Sequence, residues 1–263
     1  MQLQDQVALV TGAGSGIGKA AALLLAKEGA KVAVIGRAAD QSQLDETTAQ
    51  IVQDGGSAFT IVADVAQPDQ MQAAVKQTGD QWGRIDIVFA NAGINGKWAP
   101  IEEITPEDWD TTLDINLKGT FLTIKYAVPY LKKQGGAIIV TASVNGTRMF
   151  SNTGASAYAT SKAGQVAFTK MIALELAKYK IRANVICPGF VRTPLVEKQI
   201  PEQAAALGIS EDEVIKKVML KETVDGEFTT VHDVAEVALL FAGFNSNALT
   251  GQSLVVSHGW FMQ

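Results

Sequence analysis

Residues 7–27 read VALVTGAGSGIGKAAALLLAK, and this stretch determines the predicted fold. Its first four residues are apolar without alternation, which is typical of a strand covered on both faces. A glycine-rich turn follows, and after it apolar residues recur at the spacing of one helical face. A strand, a glycine turn and a helix in direct succession predict the first unit of a parallel sheet covered by helices.

Apolar runs of the same kind recur along the chain, and segments with helical spacing lie between them. These further runs are residues 32–35, 85–90 (in which Asp86 is the one charged residue), 137–140, 185–187 and 254–256. The alternation predicts an α/β fold, a single doubly wound parallel sheet (Rossmann fold) with helices on both faces. We find no linker or internal repeat, and we therefore expect residues 1–263 to form one domain.

Local signals predict where several helices begin. Thr105 and Thr230 are each followed by an acid at the third helical position, Asp108 and Asp233, as in an N-terminal capping box. Pro68 suits a first helical position, where its missing N–H costs nothing. We expect helices to start at these three places.

Two longer segments complete the prediction. Residues 159–178 have the composition of one long helix. Residues 193–225 are polar, partly helical and longer than a simple crossover between strands. Ligands of open α/β sheets bind beyond the carboxyl ends of strands, and an insertion there lies beside the ligand crevice. We therefore predict that residues 193–225 form a substrate lid.

Composition and charge exclude several classes of protein. The chain has 22 Lys and Arg against 27 Asp and Glu, and no window concentrates the bases, so we expect no nucleic-acid partner. Cys187 is the one cysteine and there are two histidines, which argues against a disulfide scaffold and a metal site and favours the reducing cytoplasm. The longest apolar run, residues 20–26, is too short for a membrane span, so we expect neither a signal peptide nor an anchor.

The glycine turn carries the first chemical signal. Glycines at this point permit a tight turn and let the backbone approach a pyrophosphate, which then lies on free N–H groups at a helix N-terminus. The pattern requires a strand before it and a helix after it, and both are predicted here. We expect a dinucleotide to be held by the turn residues Gly12, Ser15, Gly16, Ile17 and Gly18.

The end of the second predicted strand indicates which dinucleotide is bound. A carboxylate there binds the ribose 2′-hydroxyl of NAD, whereas a nearby arginine accommodates the 2′-phosphate of NADP. The carboxylate position is Gly36 and the next residue is Arg37, so NADP(H) is the preferred cofactor and NAD(H) the alternative. Asp64 and Val65, expected at the end of the third strand, are predicted to meet the adenine.

A second group of residues has the pattern of an acid/base site. Tyr158 and Lys162 lie four apart on a predicted helix, so both side chains project from one face, and an ammonium beside a phenol lowers its pKa. Ser143 follows a strand at the carboxyl edge, where its hydroxyl can hold a carbonyl oxygen that Tyr158 protonates. Asn116 is a poor helix former within the helix after Thr105, and a backbone water bridge would explain it.

Taken in order, these motifs resemble the short-chain dehydrogenase/reductase family along the whole chain. The shared motifs are TGxxxGxG at residues 11–18, NAG at Asn91, Ala92 and Gly93, the residues Asn116 and Ser143, YxxxK at Tyr158 and Lys162, and PG at Pro188 and Gly189 with Thr193 beyond. The resemblance implies a catalytic tetrad of Asn116, Ser143, Tyr158 and Lys162. Within it Tyr158 is the acid/base, Lys162 also holds the nicotinamide ribose, and Asn116 anchors a water relay. It also implies that residues 188–193 contact the nicotinamide half, that NAG lines the crevice floor, and that the protein is a cytoplasmic homotetramer.

Within that family the chain is most similar to 3-hydroxybutyrate dehydrogenase-like members, through PGFVRTPLVEKQI at residues 188–200. Three positions that hold the substrate carboxylate in that group are here Asn95, Asn145 and Ala155. Gln199 is retained and Phe190 replaces a tryptophan. A carboxylate substrate would therefore need another cation, Arg148 or Arg192, with Lys97 as a weaker third. The predicted substrate residues are Asn95, Asn145, Arg148, Phe190, Arg192 and Gln199.

These observations predict an oxidoreductase that moves a hydride between NADP(H) and a secondary alcohol or ketone, a small-molecule substrate. The first alternative is an NAD-dependent 3-hydroxybutyrate dehydrogenase. The second is a catalytically idle dinucleotide-binding sensor, which would need the glycine turn but not Tyr158.

Overall fold

The computed structural model describes residues 1–147 and 154–260, and a seven-stranded parallel sheet runs through them. Its strands lie in the order β3-β2-β1-β4-β5-β6-β7. They are β1 (Val7–Thr11), β2 (Lys31–Gly36), β3 (Ser57–Val62), β4 (Ile87–Ala90), β5 (Gly136–Thr141), β6 (Ile181–Pro188) and β7 (Ser253–Val256). This arrangement confirms the predicted α/β class and the doubly wound parallel sheet.

Helices connect the strands and cover both faces of the sheet. They are α1 (Gly16–Lys27), α2 (Gln41–Gln53), α3 (Pro68–Trp82), α4 (Pro106–Leu113), α5 (Gly119–Leu131), α6 (Ser156–Leu176), α7 (Pro194–Leu207), α8 (Glu211–Val214) and α9 (Val231–Gly243). Within residues 1–147 and 154–260, none of the helices combines the length and the apolar character needed to cross a membrane.

The core consists of two apolar layers, one on each face of the sheet. One layer packs α1, α2 and α9 on the strands and includes Leu25, Leu44 and Phe241, all nearly inaccessible to solvent. The other packs α3, α5 and α6 on the opposite face and includes Met71 and Leu131. Because the central strands are buried on both faces, they read as unbroken apolar runs in the sequence.

The edge strand β3 is the strand that the apolar runs did not identify. Its first residue, Ser57, and its last, Val62, are exposed, and of the residues between them only Ile61 is fully buried. An edge strand of this kind has no continuous apolar run to reveal it. Asp64 and Val65 were predicted at the end of the third strand. Because β3 ends at Val62, they lie in the loop that follows it.

The predicted helix starts are confirmed. Thr105 and Asp108 form a reciprocal capping box at α4, in which the Asp108 N–H donates to Thr105 Oγ1 at 3.1 Å. Thr230 and Asp233 form the same arrangement at α9. Pro68 is the first residue of α3. Helix α6 begins and ends slightly earlier than the predicted 159–178, since its last turn tightens into a 3₁₀ turn over Ala177–Tyr179.

The helix after Thr105 is not one regular helix, which corrects the expected setting of Asn116. Helix α4 ends at Leu113, and a π-helical turn over Asp114–Lys118 connects it to α5. Asn116 lies within this π-turn and is fully buried. A π-turn inside a helical segment is frequently found at a functional site.

Residues 193–225 follow β6 at the carboxyl edge of the sheet and contain α7, α8 and a second π-helical turn, Ile215–Met219. They enclose a small apolar cluster of their own around Ile200, Val214 and Met219. The segment is therefore folded and partly helical, in the position from which a lid would act.

Candidate active site

A cavity of about 430 Å³ opens along the carboxyl edge of the sheet, where the strand order reverses between β1 and β4. This is the position at which open α/β sheets bind their ligands. Its lining brings together nearly all of the predicted cofactor residues: Gly12, Ser15, Gly16, Ile17, Arg37, Asp64, Val65, Asn91, Ala92, Gly93, Tyr158, Lys162, Pro188, Gly189 and Thr193.

The glycine turn forms an open cradle at one end of the cavity. Gly12 and Gly16 have φ angles of 66° and 53°, which residues with a Cβ rarely adopt. No side chain caps α1 at Ser15, so the N–H groups of its first turn are available to an anion. The turn therefore fits a dinucleotide pyrophosphate.

Gly18 has a different role from the one predicted, because it does not line the cavity. A Cβ on Gly18 would lie 2.1 Å from the carbonyl oxygen of Gly12 and 2.7 Å from Asn91 Nδ2. Its glycine allows α1 to pack directly on the turn and on the residue that follows β4. Gly18 thus shapes the cradle from behind.

At the end of the cavity beside β2, Arg37 lies next to a carboxylate that the sequence analysis did not single out. The Arg37 Nε atom is 3.2 Å from Asp40 Oδ2, and both side chains are partly exposed. Leu44 lies over Gly36, so that a Cβ at Gly36 would be 2.9 Å from Leu44 Cδ2. Asp64 lines the same end and accepts a hydrogen bond from the N–H of Ala66.

A chain of hydrogen bonds connects the glycine turn to the predicted acid/base pair. Asn91 Nδ2 donates to the carbonyl of Thr11 at 3.2 Å, and Asn91 Oδ1 accepts from Thr141 Oγ1 at 3.0 Å. Lys162 Nζ in turn donates to the carbonyl oxygen of Thr141 at 2.9 Å. The ends of β1, β4 and β5 are therefore fixed relative to Lys162 on α6.

Tyr158, Ser143 and Lys162 meet on the wall of the cavity as predicted. The Ser143 side chain is hydrogen-bonded to the Tyr158 hydroxyl, and Lys162 Nζ lies 5.6 Å from the centroid of the Tyr158 ring. Lys162 is almost wholly buried, and the loss of solvation lowers its pKa to about 8.

The pKa of Tyr158 is raised in the structure, although the spacing from Lys162 predicted that it would be lowered. Desolvation raises the pKa of Tyr158 above its ordinary value, and the hydrogen bond from Ser143 opposes this rise only in part. The prediction assumed that the ammonium would dominate, whereas desolvation is the largest influence on the pKa of Tyr158. Tyr158 is consequently held as a protonated phenol, a proton donor.

Asn116 lies behind the cavity wall and does not line it. Its side chain binds both main-chain groups of Ile94, accepting from the N–H at 2.8 Å and donating to the carbonyl at 2.9 Å. Its own carbonyl oxygen accepts from Thr120 Oγ1 and Gln165 Nε2. These two donors occupy the oxygen at which a water relay was expected, and the relay role of Asn116 stays a prediction that these contacts do not support.

The predicted substrate residues are distributed unevenly. Asn95 lines the cavity. Asn145 is buried beside it, where its N–H donates to Ser143 Oγ at 3.2 Å and its Nδ2 has no hydrogen-bond partner among the described residues. Gln199 is absent from the described lining, on α7 next to the lining residue Lys198. Arg148 lies outside the described residues.

Two of the substrate predictions are corrected. Arg192 turns to solvent, because its Nε pairs with Glu197 Oε1 at 2.7 Å and its guanidinium lies over the Phe228 ring, so it does not line the cavity. Phe190 is half-buried: it stacks on Trp260 with ring centroids 5.0 Å apart and packs on the apolar cluster of residues 193–225, and it does not line the cavity. Lys97, the weaker third cation, pairs with Asp108 away from the described lining.

Helix α7 contributes residues that sequence reasoning missed. Leu195, Val196 and Lys198 line the cavity beside Thr193, which caps the helix by accepting from the N–H of Val196. Lys198 has no ion pair or hydrogen bond with any described residue. The signal was present in Thr193 and Pro194, a cap and a first helical residue, from which helical spacing would have indicated these positions.

Comparison with known proteins gives consistent matches over nearly the full chain. A family model described as enoyl-(acyl carrier protein) reductase matches residues 12–260. D-beta-hydroxybutyrate dehydrogenase from Rhizobium meliloti (strain 1021) is 39% identical over 259 residues, which cover 98% of this chain and 99% of that protein. The crystal structure of levodione reductase has a TM-score of 0.89 at 32% identity and covers 98% of both chains. A 3-ketoacyl-ACP reductase structure from Sinorhizobium meliloti 1021 has a TM-score of 0.84 at 41% identity, covering 97% of this chain and 98% of that one.

Proposed function

The chain belongs to the short-chain dehydrogenase/reductase family of oxidoreductases that act on CH–OH groups, and on that premise we propose that it is a carbonyl reductase using NADP(H). The family uses NAD(H) or NADP(H), and the reaction interconverts a secondary alcohol and the corresponding ketone. The choice of NADP(H), and of a neutral ketone over a short hydroxy acid, is the part that we propose.

The observation that carries this proposal is the Tyr158 hydroxyl, hydrogen-bonded to Ser143 and facing the cavity that the glycine turn lines. The nicotinamide, when bound, supplies or accepts the hydride. Tyr158 gives its proton to the carbonyl oxygen during reduction, and Ser143 donates a hydrogen bond that orients that oxygen. Lys162, fixed by the carbonyl of Thr141, then favours the phenolate that Tyr158 becomes.

Arg37 supports NADP(H) as the cofactor. It lines the cavity after β2 and pairs with Asp40 through Nε alone, so no described residue occupies its terminal nitrogens. The pair with Asp40 is partly exposed, and such pairs contribute little to stability, so a 2′-phosphate can compete for Arg37 at small cost. Gly36 offers no carboxylate to repel that phosphate.

We expect the enzyme to prefer NADPH over NADH, and Arg37→Ala to remove that preference. A charge-assisted hydrogen bond contributes about 1.5–3 kcal/mol, so kcat/KM for NADPH should fall roughly ten- to a hundredfold while kcat/KM for NADH changes little. Initial rates with both cofactors and one good ketone measure this. Arg37→Ala is a cleaner test than Gly36→Asp, since the latter must also displace the buried Leu44.

Asp40→Asn is the matched control. It removes the carboxylate that pairs with Arg37 but keeps the guanidinium, so the preference for NADPH should persist or increase. If the unmodified enzyme has an equal or higher kcat/KM with NADH, the assignment of Arg37 to a phosphate is wrong and the NAD-dependent alternative gains.

The substrate class is tested with a 3-keto acid and its neutral ester. We expect the ester to react at least as well as the acid, because the described lining offers a substrate carboxylate only Lys162 and Lys198 as cations near Tyr158. Arg192→Ala should leave the ratio of the two kcat/KM values within about twofold, since Arg192 faces Glu197. A preference for the acid of tenfold or more that disappears in Lys198→Ala would instead favour the short hydroxy acid dehydrogenase.

Three further expectations belong to the proposal. We propose that residues 1–263 act as one catalytic domain in which residues 193–225 close over the substrate as a lid. We also propose a homotetramer, as the family resemblance implies. A cytoplasmic location is proposed because the single cysteine, Cys187, is a buried free thiol rather than half of a disulfide.

A further inference from the structure

A row of buried polar groups lies where α6 packs on the π-turn and on the first turn of α5, and none of them is part of the described cavity lining. Asn116, Thr120, Ser161 and Gln165 form this polar seam, and each is at most 3% exposed. Apolar residues would fill such a position without any need for hydrogen-bond partners. A polar seam beside the acid/base pair therefore calls for a reason.

Gln165 is the residue of the seam that holds Asn116 through its main chain. Its Nε2 donates to the carbonyl oxygen of Asn116 at 2.8 Å and to Thr120 Oγ1 at 2.7 Å. The Thr120 hydroxyl also donates a hydrogen bond to the carbonyl oxygen of Asn116, with an Oγ1–O distance of 2.7 Å. The amide orientation follows from these contacts, because only the nitrogen can donate to a carbonyl.

The rest of the Gln165 amide is not satisfied. Its Oε1 is buried and has no hydrogen-bond partner among the described residues. A buried acceptor without a partner is destabilising, and stability alone would favour an apolar side chain of the same size. We therefore look for a role of the Gln165 Nε2 donor other than stabilising the fold.

The side chain of Asn116, whose main-chain carbonyl Gln165 holds, contacts two parts of the site. Its side chain holds Ile94 at both main-chain atoms, and Ile94 lines the cavity next to Gly93. Its Nδ2 also donates to Ser161 Oγ at 3.0 Å, and that hydroxyl donates to the carbonyl oxygen of Tyr158 at 2.7 Å. One asparagine thus connects the cavity floor to the turn of α6 that carries the proton donor.

We propose that Gln165 is a positioning residue that holds the Asn116 carbonyl, and through Asn116 fixes Ile94 relative to Tyr158. The proposal rests on the proposed function, because the role given to Gln165 is to hold Ile94 and Tyr158 at the relative positions that ketone reduction requires.

The test compares Gln165→Met with Thr123→Val. Methionine keeps the length of the side chain but cannot donate to Asn116. Thr123 is an equally buried polar residue on α5 whose hydroxyl bonds only to the carbonyl of Gly119, so its variant controls for loss of a buried polar group. We expect Gln165→Met to lower kcat about tenfold, as a small displacement of positioned groups does, with KM for cofactor and ketone within about twofold. Thr123→Val should leave kcat unchanged.

Amide hydrogen exchange at Ile94 provides a readout that does not depend on turnover. Its N–H donates to Asn116 Oδ1, so exchange should accelerate in Gln165→Met and stay at the native rate in Thr123→Val. If the native enzyme turns over no ketone, the proposed function fails, and the exchange at Ile94 still decides the role of Gln165.

Thr120→Val provides a second perturbation of the same carbonyl, should the methionine variant not fold. It removes the hydroxyl that lies between Gln165 and Asn116, and we expect a loss of kcat of about threefold with faster exchange at Ile94. Native kcat and native Ile94 exchange in a folded Gln165→Met or Thr120→Val protein would overturn the proposal. So would equal losses in these variants and in Thr123→Val.

Discussion

Tyr158→Phe should lose ketone turnover by about 10²–10⁴-fold, the usual cost of removing a general acid, while NADPH binding stays nearly intact. Phenylalanine keeps the ring in its place on α6 and removes only the hydroxyl that faces the cavity and bonds to Ser143. Burial raises the pKa of Tyr158, so its hydroxyl is protonated near neutral pH and carries the proton that the variant removes. Steady-state kinetics and a fluorescence titration with NADPH measure the two effects separately.

Tyr179→Phe is the matched control for this experiment. Tyr179 lies after α6, contacts Lys132 and Lys178 with its ring and does not line the cavity, so its hydroxyl should be dispensable. Retention of more than about a tenth of native activity in Tyr158→Phe would mean that the proton comes from elsewhere.

Gly18→Ala should damage the dinucleotide site without touching the dinucleotide. The new methyl group would lie 2.1 Å from the carbonyl oxygen of Gly12, so α1 and the glycine turn must separate. Overpacking of this kind costs about 1–3 kcal/mol, and since the displaced turn is the proposed pyrophosphate cradle, we expect NADPH affinity to fall roughly ten- to a hundredfold. The melting temperature should fall as well.

Gly14→Ala in the same turn is the control for that change. A Cβ there would meet the side chain of Gln43 at 3.2 Å, and Gly14 does not have the positive φ of Gly12 and Gly16. Its variant should bind NADPH with a Kd within a fewfold of native, on the order of 1 kcal/mol or less. Native NADPH affinity in Gly18→Ala would contradict the role given to Gly18 in shaping the turn.

Much of this site could be predicted from the sequence, because parallel strands bring their carboxyl ends to one edge. The glycine turn after β1, the NAG motif after β4 and Ser143 after β5 each follow a buried apolar run, so their common location follows from topology alone. Tyr158 and Lys162 needed only helical spacing. The predicted strands were correct wherever the strand is buried on both faces.

What could not be predicted depends on contacts between distant residues or on competing partners. Gln165 meets Asn116 across 49 positions, and nothing in the local pattern of either residue indicates the other. Arg192 looked suited to the substrate, but Glu197 lies on the first turn of α7 and takes its guanidinium. The π-turn around Asn116 interrupts the α-helix at a place where no proline or glycine signals a break.

The direction of the Tyr158 pKa shift also could not be predicted from the local sequence. Its spacing from Lys162 predicted a lowered value, whereas desolvation, which depends on the whole surrounding fold, raises it. A raised pKa keeps the Tyr158 hydroxyl protonated near neutral pH, and it also makes the phenol a weaker acid.

Transfer of deuterium from NADPH labelled at both C4 positions shows directly whether the protein moves a hydride from this cofactor to a ketone. The native enzyme is incubated with this cofactor and an unlabelled ketone, and the product alcohol is analysed by mass spectrometry and NMR. We expect one deuterium on the carbinol carbon of each alcohol formed and one NADPH oxidised per alcohol, with labelled alcohol formed about 10²–10⁴-fold more slowly by Tyr158→Phe. Unlabelled alcohol, or a native protein that binds NADPH and leaves every ketone unchanged, would contradict it.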